Sequence, residues 1–277
     1  MDPVFNNRGV VRELSDVRDY YGVANVTRFP DAFELDMPPV KNQETICSCV
    51  AHALATAIEH FDTLETNGYH RMSTGYIYGN RRMSTWKGEG MRIRDALKTC
   101  CVYGDVEYDL MPSNVEVPAA IDLFDSYADD LRLYGKLNGI RRYFRLKDKA
   151  AIMSCLMNYG PVIFSVTWYK DNYVKDGVLH ITGNRKEENG SHCMLIYGWN
   201  ENGWKIQNSW GTRWANQGRA ILPFDTQIDE AWGVEDKYND EEAEDIKIVV
   251  SFTGSIGKII AEFLNWLLNL LRRKNVN

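Results

Sequence analysis

Residues 191–211, SHCMLIYGWNENGWKIQNSWG, carry His192 and Asn208 sixteen positions apart in a run of apolar and aromatic side chains. A second segment, KNQETICSC at 41–49, adds Gln43 and, six positions later, Cys49. Cysteine is a useful nucleophile near neutral pH only as the thiolate. It therefore needs an imidazolium beside it, a group that orients that ring, and donors for the oxyanion. These four side chains supply a candidate for each requirement.

On these residues the chain resembles the papain-like cysteine peptidases, and the 143 positions from Cys49 to His192 fit that family's layout. The correspondence is densest around Asn208, where NSWG is followed by Trp214 and Gly218. The resemblance implies that Cys49 is the nucleophile, His192 the general base and acid, and Asn208 the orienter of the ring. It implies further that Gln43 donates to the oxyanion beside the Cys49 N–H, and that Trp210 shields the Asn–His hydrogen bond from water. The family's Cys-Gly-Ser-Cys-Trp stands here as Ile46-Cys47-Ser48-Cys49-Val50. The first cysteine of a disulfide is missing, a second thiol sits two residues before the nucleophile, and Val50 replaces a tryptophan without removing a catalytic group.

Local patterning agrees. Val50, Leu54, Ala57, Ile58 and Phe61 recur at helical spacing and predict a helix with one buried face. Ser48 is the expected N-cap, which places Cys49 at the helix N-terminus, where unpaired N–H groups favour a thiolate. His52, one turn on, is expected only to pack.

Other segments extend the resemblance. RDYYG at 18–22 and FPDAFELDMPPVKNQ at 29–43 look like the start of bacterial-type members. GEGMRIRDALK at 88–98 looks like their glycine-rich loop and the helix after it. In the family a backbone edge of that loop pairs with the peptide substrate as an added strand, so Gly90 is the candidate, with Gly88 second. Cys193 occupies a position that helps floor the pocket for the second residue before the scissile bond, which favours aliphatic or aromatic side chains there. Gly90, Cys193 and Trp210 are thus the substrate-side candidates. YGPVIFSV at 159–166 reads as a turn and a buried strand opening the β-rich lobe.

The resemblance implies an α+β, two-lobed papain-like fold, helical to about residue 160 and antiparallel, β-barrel-like, to about 225. Residues 1–28 are expected to form an N-terminal extension and 29–235 the peptidase domain. An acidic linker over 236–253 and an amphipathic helix over 254–277 are expected to follow. In GSIGKIIAEFLNWLLNLLRRK at 254–274, Lys258, Glu262, Asn265 and Asn269 fall on one narrow stripe of a helix and apolar residues cover the remainder. So wide an apolar surface suits packing, self-association or, through Arg272, Arg273 and Lys274, contact with a membrane surface.

At 277 residues, 44% hydrophobic and 25% charged, the composition is that of an ordinary globular protein, and the net charge of −6 argues against nucleic acid as a partner. The six cysteines lack both the family's secreted disulfide framework and paired zinc-ligand spacing, and no signal peptide is visible at the N-terminus. Cytoplasmic action with no cofactor or metal is expected. With little sequence ahead of the family-like region for a pro-domain, restraint is expected to come from residues 1–28, the C-terminal extension, a compartment or an inhibitor. The expected function is hydrolysis of peptide bonds in proteins or peptides through a Cys49 thioester. Two alternatives are a peptide ligase or transpeptidase using the same site, and a catalytically silent binding protein that has kept the fold.

Overall fold

In this computed structural model the described residues are 9–13, 16, 19–22, 26, 28–81, 89–112, 131–132, 134–136 and 138–237. The expected linker beyond Lys237 and the amphipathic helix over 254–277 lie outside them, as does Gly88.

The helix expected after residue 48 is α1, Cys49–Thr66, and it ends where Asn67 turns left-handed at φ 55°. Its burial differs from the expected single face, for every residue from Cys49 to Phe61 is buried. The cause is its position between α2 (Thr74–Asn80) and α3 (Ile93–Tyr103) on one side and the sheet on the other. Ala51, Ala53, Ala55 and Ala57, each at most 5% exposed, let backbone approach backbone there. Ser48 is the N-cap residue, yet its side chain makes no capping bond. Its hydroxyl meets His52 Nδ1 at 3.2 Å instead, so the first N–H groups of α1 stay open toward the site.

The strand expected to follow YGP at 159–161 is β3, Val162–Tyr169, behind α4 (Lys149–Asn158). Nine strands form one sheet among the described residues, in the order β2-β9-β3-β6-β7-β8-β5-β4, with β1 also on β6. These are β1 Phe33–Glu34, β2 Ile140–Arg145, β4 Tyr173–Lys175, β5 Val178–His180, β6 Glu188–Asn200, β7 Gly203–Gln207, β8 Arg219–Leu222 and β9 Glu230–Asp236. Every pairing is antiparallel except β5 with β8. Hydrophobic side chains gather in two cores. One surrounds α1, α2 and α3; the other lies among α4 and strands β3, β6, β7 and β8.

The strand region continues past the expected limit near residue 225. β9 runs to Asp236, inside the interval read as the start of a linker, and Glu235 pairs with Arg141 and Arg142 of β2. Its pairing with β2 and β3, which buries Glu230–Val234 without a break, outweighs the local run of charge. No helix among the described residues is long and apolar enough to cross a membrane.

Candidate active site

The site is assembled from α1 and the long strand β6, which pack directly on each other. Cys49 is the first residue of α1 and His192 the fifth of β6, opposite Val166 of β3. Asn208 follows the end of β7, the strand that returns antiparallel beside β6, and this return brings it alongside His192. Asn208 Oδ1 lies 2.7 Å from His192 Nε2 and also accepts from the Ser209 N–H at 2.7 Å. That second bond fixes the oxygen end of the amide toward the ring, so Nε2 carries the proton and Nδ1 is the bare nitrogen. Nδ1 has no hydrogen-bond partner among the described residues.

Aromatic rings close over this pair. Trp210 stacks on His192 with centroids 4.5 Å apart at 27°, and Trp168 meets both rings edge-on at 5.4 and 4.9 Å. Trp168 lies near the end of β3, two residues past Val166, the cross-strand partner of His192. The sequence marks it only as another large residue in an apolar strand, so its place beside the imidazole needs the β3–β6 register to be seen.

Gln43 is held from three directions. Its N–H donates to Ser209 O at 2.8 Å, its Oε1 accepts from Ser209 Oγ at 2.6 Å, and its Nε2 donates to Ile46 O at 2.8 Å. With the oxygen taken by Ser209, the amide nitrogen is left with one further N–H, the donor an oxyanion requires. Ser209 also follows Asn208, so adjacent residues orient both amides; nothing in the sequence singles it out beyond its neighbours. Lys41, two residues before Gln43, forms a buried ion pair with Glu59 of α1. Glu59 Oε1 also accepts from the Met72 N–H at 2.8 Å. This anchors the Gln43 segment to the same helix that carries Cys49.

The remaining expected residues are accounted for individually. Cys193 is buried, and its backbone N–H donates to the Cys49 sulfur. Cys47 is buried with its thiol 3.8 Å from Glu89 Oε2, and all six cysteines are free thiols. His52 Nδ1 bonds Ser48 O at 2.9 Å and packs. Gly90, expected as the strand-pairing edge, adopts φ 78° and gives its N–H to Tyr78 Oη at 3.2 Å. Its neighbour Met91 makes the pairing: Met91 N–H donates to Gly9 O at 2.8 Å and Met91 O accepts from Val11 N–H at 2.9 Å.

The partner strand is this chain's own N-terminal segment. Val10 forms a parallel bridge with Met91 on one side and donates to Ser191 O at 3.3 Å on the other, so Gly9–Val11 spans the cleft between the two cores. Gly9 lies against the nucleophile candidate: a Cβ there would run into the Cys49 sulfur, and Cys47 O would be 3.3 Å away. Only a glycine lets a chain pass so close. Beyond it, Glu13 meets Arg92 and Arg94, and Asp19 binds Arg94 through both carboxylate oxygens at 2.9 and 2.8 Å.

This cover explains the protonation state. Cys49 and His192 are both 0% exposed. Burial pushes the Cys49 thiol up to about 12, against the lowering effect of the Cys193 and Val50 N–H groups. Burial also pushes His192 down to about 4, against the Asn208 hydrogen bond. Under the strand the two groups are therefore a neutral thiol and a neutral imidazole.

Comparison with known proteins accords with this geometry. Residues 127–236 match the family model described as papain family cysteine protease. An uncharacterized peptidase C1-like protein of Acanthamoeba polyphaga mimivirus is 26% identical over 205 residues, 68% of this chain and 65% of that one. Cathepsin B-like cysteine proteinase 3 of Caenorhabditis elegans is 40% identical over 77 residues, 26% of this chain and 20% of the relative. The match thus spans less than two thirds of either curated relative. Among solved structures, xylellain, a cysteine protease from Xylella fastidiosa, superposes with a TM-score of 0.71 at 21% identity, covering 85% of this chain and 98% of that one. The protease and lectin-like domains of Cwp84 from Clostridium difficile give 0.67 at 18% identity, covering 85% and 57%. The fold is that of these papain-like cysteine proteases, and the family match itself covers residues 127–236.

Proposed function

We propose that the protein is a cysteine endopeptidase acting on proteins or peptides, with Cys49 as nucleophile. The observation that carries this reading is the convergence of Cys49 at the open N-terminus of α1, His192 with a bare Nδ1, Asn208 on Nε2, and Gln43 held with a spare N–H. Once the cover is off, the proton passes from the thiol to His192 Nδ1, giving a thiolate and imidazolium. The thiolate attacks the substrate carbonyl while Gln43 Nε2 and the Cys49 N–H receive the oxyanion. The imidazolium protonates the leaving amine, and water deprotonated by the same ring hydrolyses the thioester.

Residues 9–13 act in this reading as a built-in cover, the restraint expected of the N-terminal extension. The six free thiols support work in a reducing compartment.

Labelling with an epoxysuccinyl peptide, followed by peptide mapping, tests the reading on wild type, Cys49→Ala and His192→Ala. Modification at Cys49 that depends on His192 is the expected result. Equal reaction at Cys47 and Cys49, or none at either in folded protein, sinks it in favour of a silent binding protein. Product analysis with an added amine nucleophile separates hydrolysis from ligation.

A further inference from the structure

Arg12 follows the covering strand, and its half-exposed guanidinium lies in a shallow notch beside Ser191, the residue before His192. Nε donates to Ser191 Oγ at 2.6 Å; Nη2 donates to Thr167 Oγ1 at 2.6 Å and to Glu188 Oε1 at 3.2 Å. Asp229 Oδ2 stands 4.0 Å from Nε and accepts from Thr167 Oγ1 at 2.9 Å. Two hydroxyls and two carboxylates thus surround one planar cation. Their elements are β3, β6 and the residue before β9, and Ser191 directly precedes His192. Hydroxyl and carboxylate acceptors spread around Nε and Nη2 suit the fork of a guanidinium better than a point charge.

The wall of the notch continues inward to atoms that lack partners. Ser165 of β3 and Glu230 of β9 sit opposite each other in the sheet, 0% and 5% exposed. Ser165 Oγ and Glu230 Oε1 have no hydrogen-bond partner among the described residues. Arg94 and Arg145, the two cations whose charge acts on Glu230, are both engaged by Asp19. Burial raises the carboxyl groups of Asp229 and Glu230 above their ordinary values, the mark of acids short of compensation. When the strand leaves, the notch loses its own cation and gains an accessible acidic wall next to the reacting centre.

We infer that this notch, built from Thr167, Glu188, Ser191 and Asp229, is a substrate subsite for an arginine side chain near the scissile bond, filled by Arg12 while the cleft is covered. It rests on the peptidase reading and adds the substrate class to it. Lysine fits less well, having no fork to share among the acceptors.

The test uses full-length protein carrying Gly9→Leu, whose side chain cannot lie on the Cys49 sulfur. Mass spectrometry of a randomised peptide library should show arginine enriched at one position near the cut by about tenfold. Adding Glu188→Gln and Asp229→Asn should remove the enrichment while peptides without arginine are cut as before. No enrichment, or enrichment indifferent to those substitutions, overturns the subsite and leaves Arg12 as a latch only. A second readout needs no turnover. In the wild-type chain, agmatine competing with Arg12 should speed alkylation of Cys49 by iodoacetamide several-fold, and should not in the double variant. If the library is uncut but agmatine acts, the peptidase reading fails and the guanidinium site stands; if the library is uncut and agmatine does nothing, the subsite falls too.

Discussion

The indole of Trp210 lies nearly parallel to the imidazole of His192, 4.5 Å away, beside the bond that His192 makes to Asn208. A hydrogen bond kept dry in this way is stronger than the same bond in water, and the stack leaves the ring one plane in which to lie. Orientation of the imidazole therefore depends on an aromatic wall as much as on the asparagine.

Trp210→Phe keeps a ring over His192 and should lower kcat modestly. Trp210→Ala should lower it by about tenfold or more, as expected when a positioned acid–base group is loosened. Steady-state kinetics with circular dichroism checks this. An unchanged kcat in folded Trp210→Ala would show that the stack has no part in positioning.

Removing the orienting amide is a sharper change. Asn208→Ala should reduce kcat/KM by about 10–100-fold while leaving KM near its starting value, the pattern of an interaction made in the transition state. Cys49→Ala should abolish turnover.

Ser209 offers a separation of Gln43 from its support. Gln43→Ala should cost about 10²–10³ in kcat, the usual loss for one oxyanion donor. Ser209→Ala frees the Gln43 amide to rotate without removing it and should cost about tenfold or less, the worth of one hydrogen bond. Equal losses would mean that Ser209 serves Asn208 rather than Gln43.

Gly9→Leu should raise the rate of Cys49 labelling in the full-length chain by at least about tenfold, since a side chain there and the Cys49 sulfur compete for one space. The neutral thiol–imidazole pair and the ion pair hold the same number of protons, so uncovering the site takes up none. The wild-type to Gly9→Leu ratio should accordingly stay flat across neutral pH. A ratio that climbs with acidity would place a titrating group elsewhere in the cover.

His52 gives a stability prediction. Burial lowers it to about 4 from the ordinary value of 6.5, helped by Lys41 and Arg71 and opposed by its bond to Ser48. Below 6.5 the unfolded chain takes a proton there that the folded chain refuses until about 4, so this histidine destabilises the fold progressively over that window. His52→Gln should gain on wild type by about 3 kcal/mol between those limits. Parallel denaturant titrations at several pH values measure the difference, which cancels the other buried groups.

Much of this was legible in the sequence where neighbouring residues carry the information. Cys49 at a helix start and the Asn208–Trp210 run are local patterns, and the structure brings them together with His192. What escaped was set by contacts distant in the chain. Gly9 and Met91 meet through backbone groups that every residue possesses, so Gly90 drew attention for its missing side chain while Met91 makes the bonds. Ser48 has the right chemistry for a cap, but His52 one turn on competes for its hydroxyl. Asp236 read as the start of an acidic linker because its strand partner, Ile140, lies over ninety residues earlier.

On the proposed reading, the alanines of α1 tie catalysis to the interior. Because Ala51, Ala53, Ala55 and Ala57 let the helix bearing Cys49 sit close to its neighbours, including the strand bearing His192, the gap between thiol and imidazole is a dimension of the core. A methyl or two added at these positions would widen that gap before it unfolded anything. Turnover would then serve as a ruler for packing, and variants that melt normally yet cut poorly should map onto this seam, behind the residues that touch substrate.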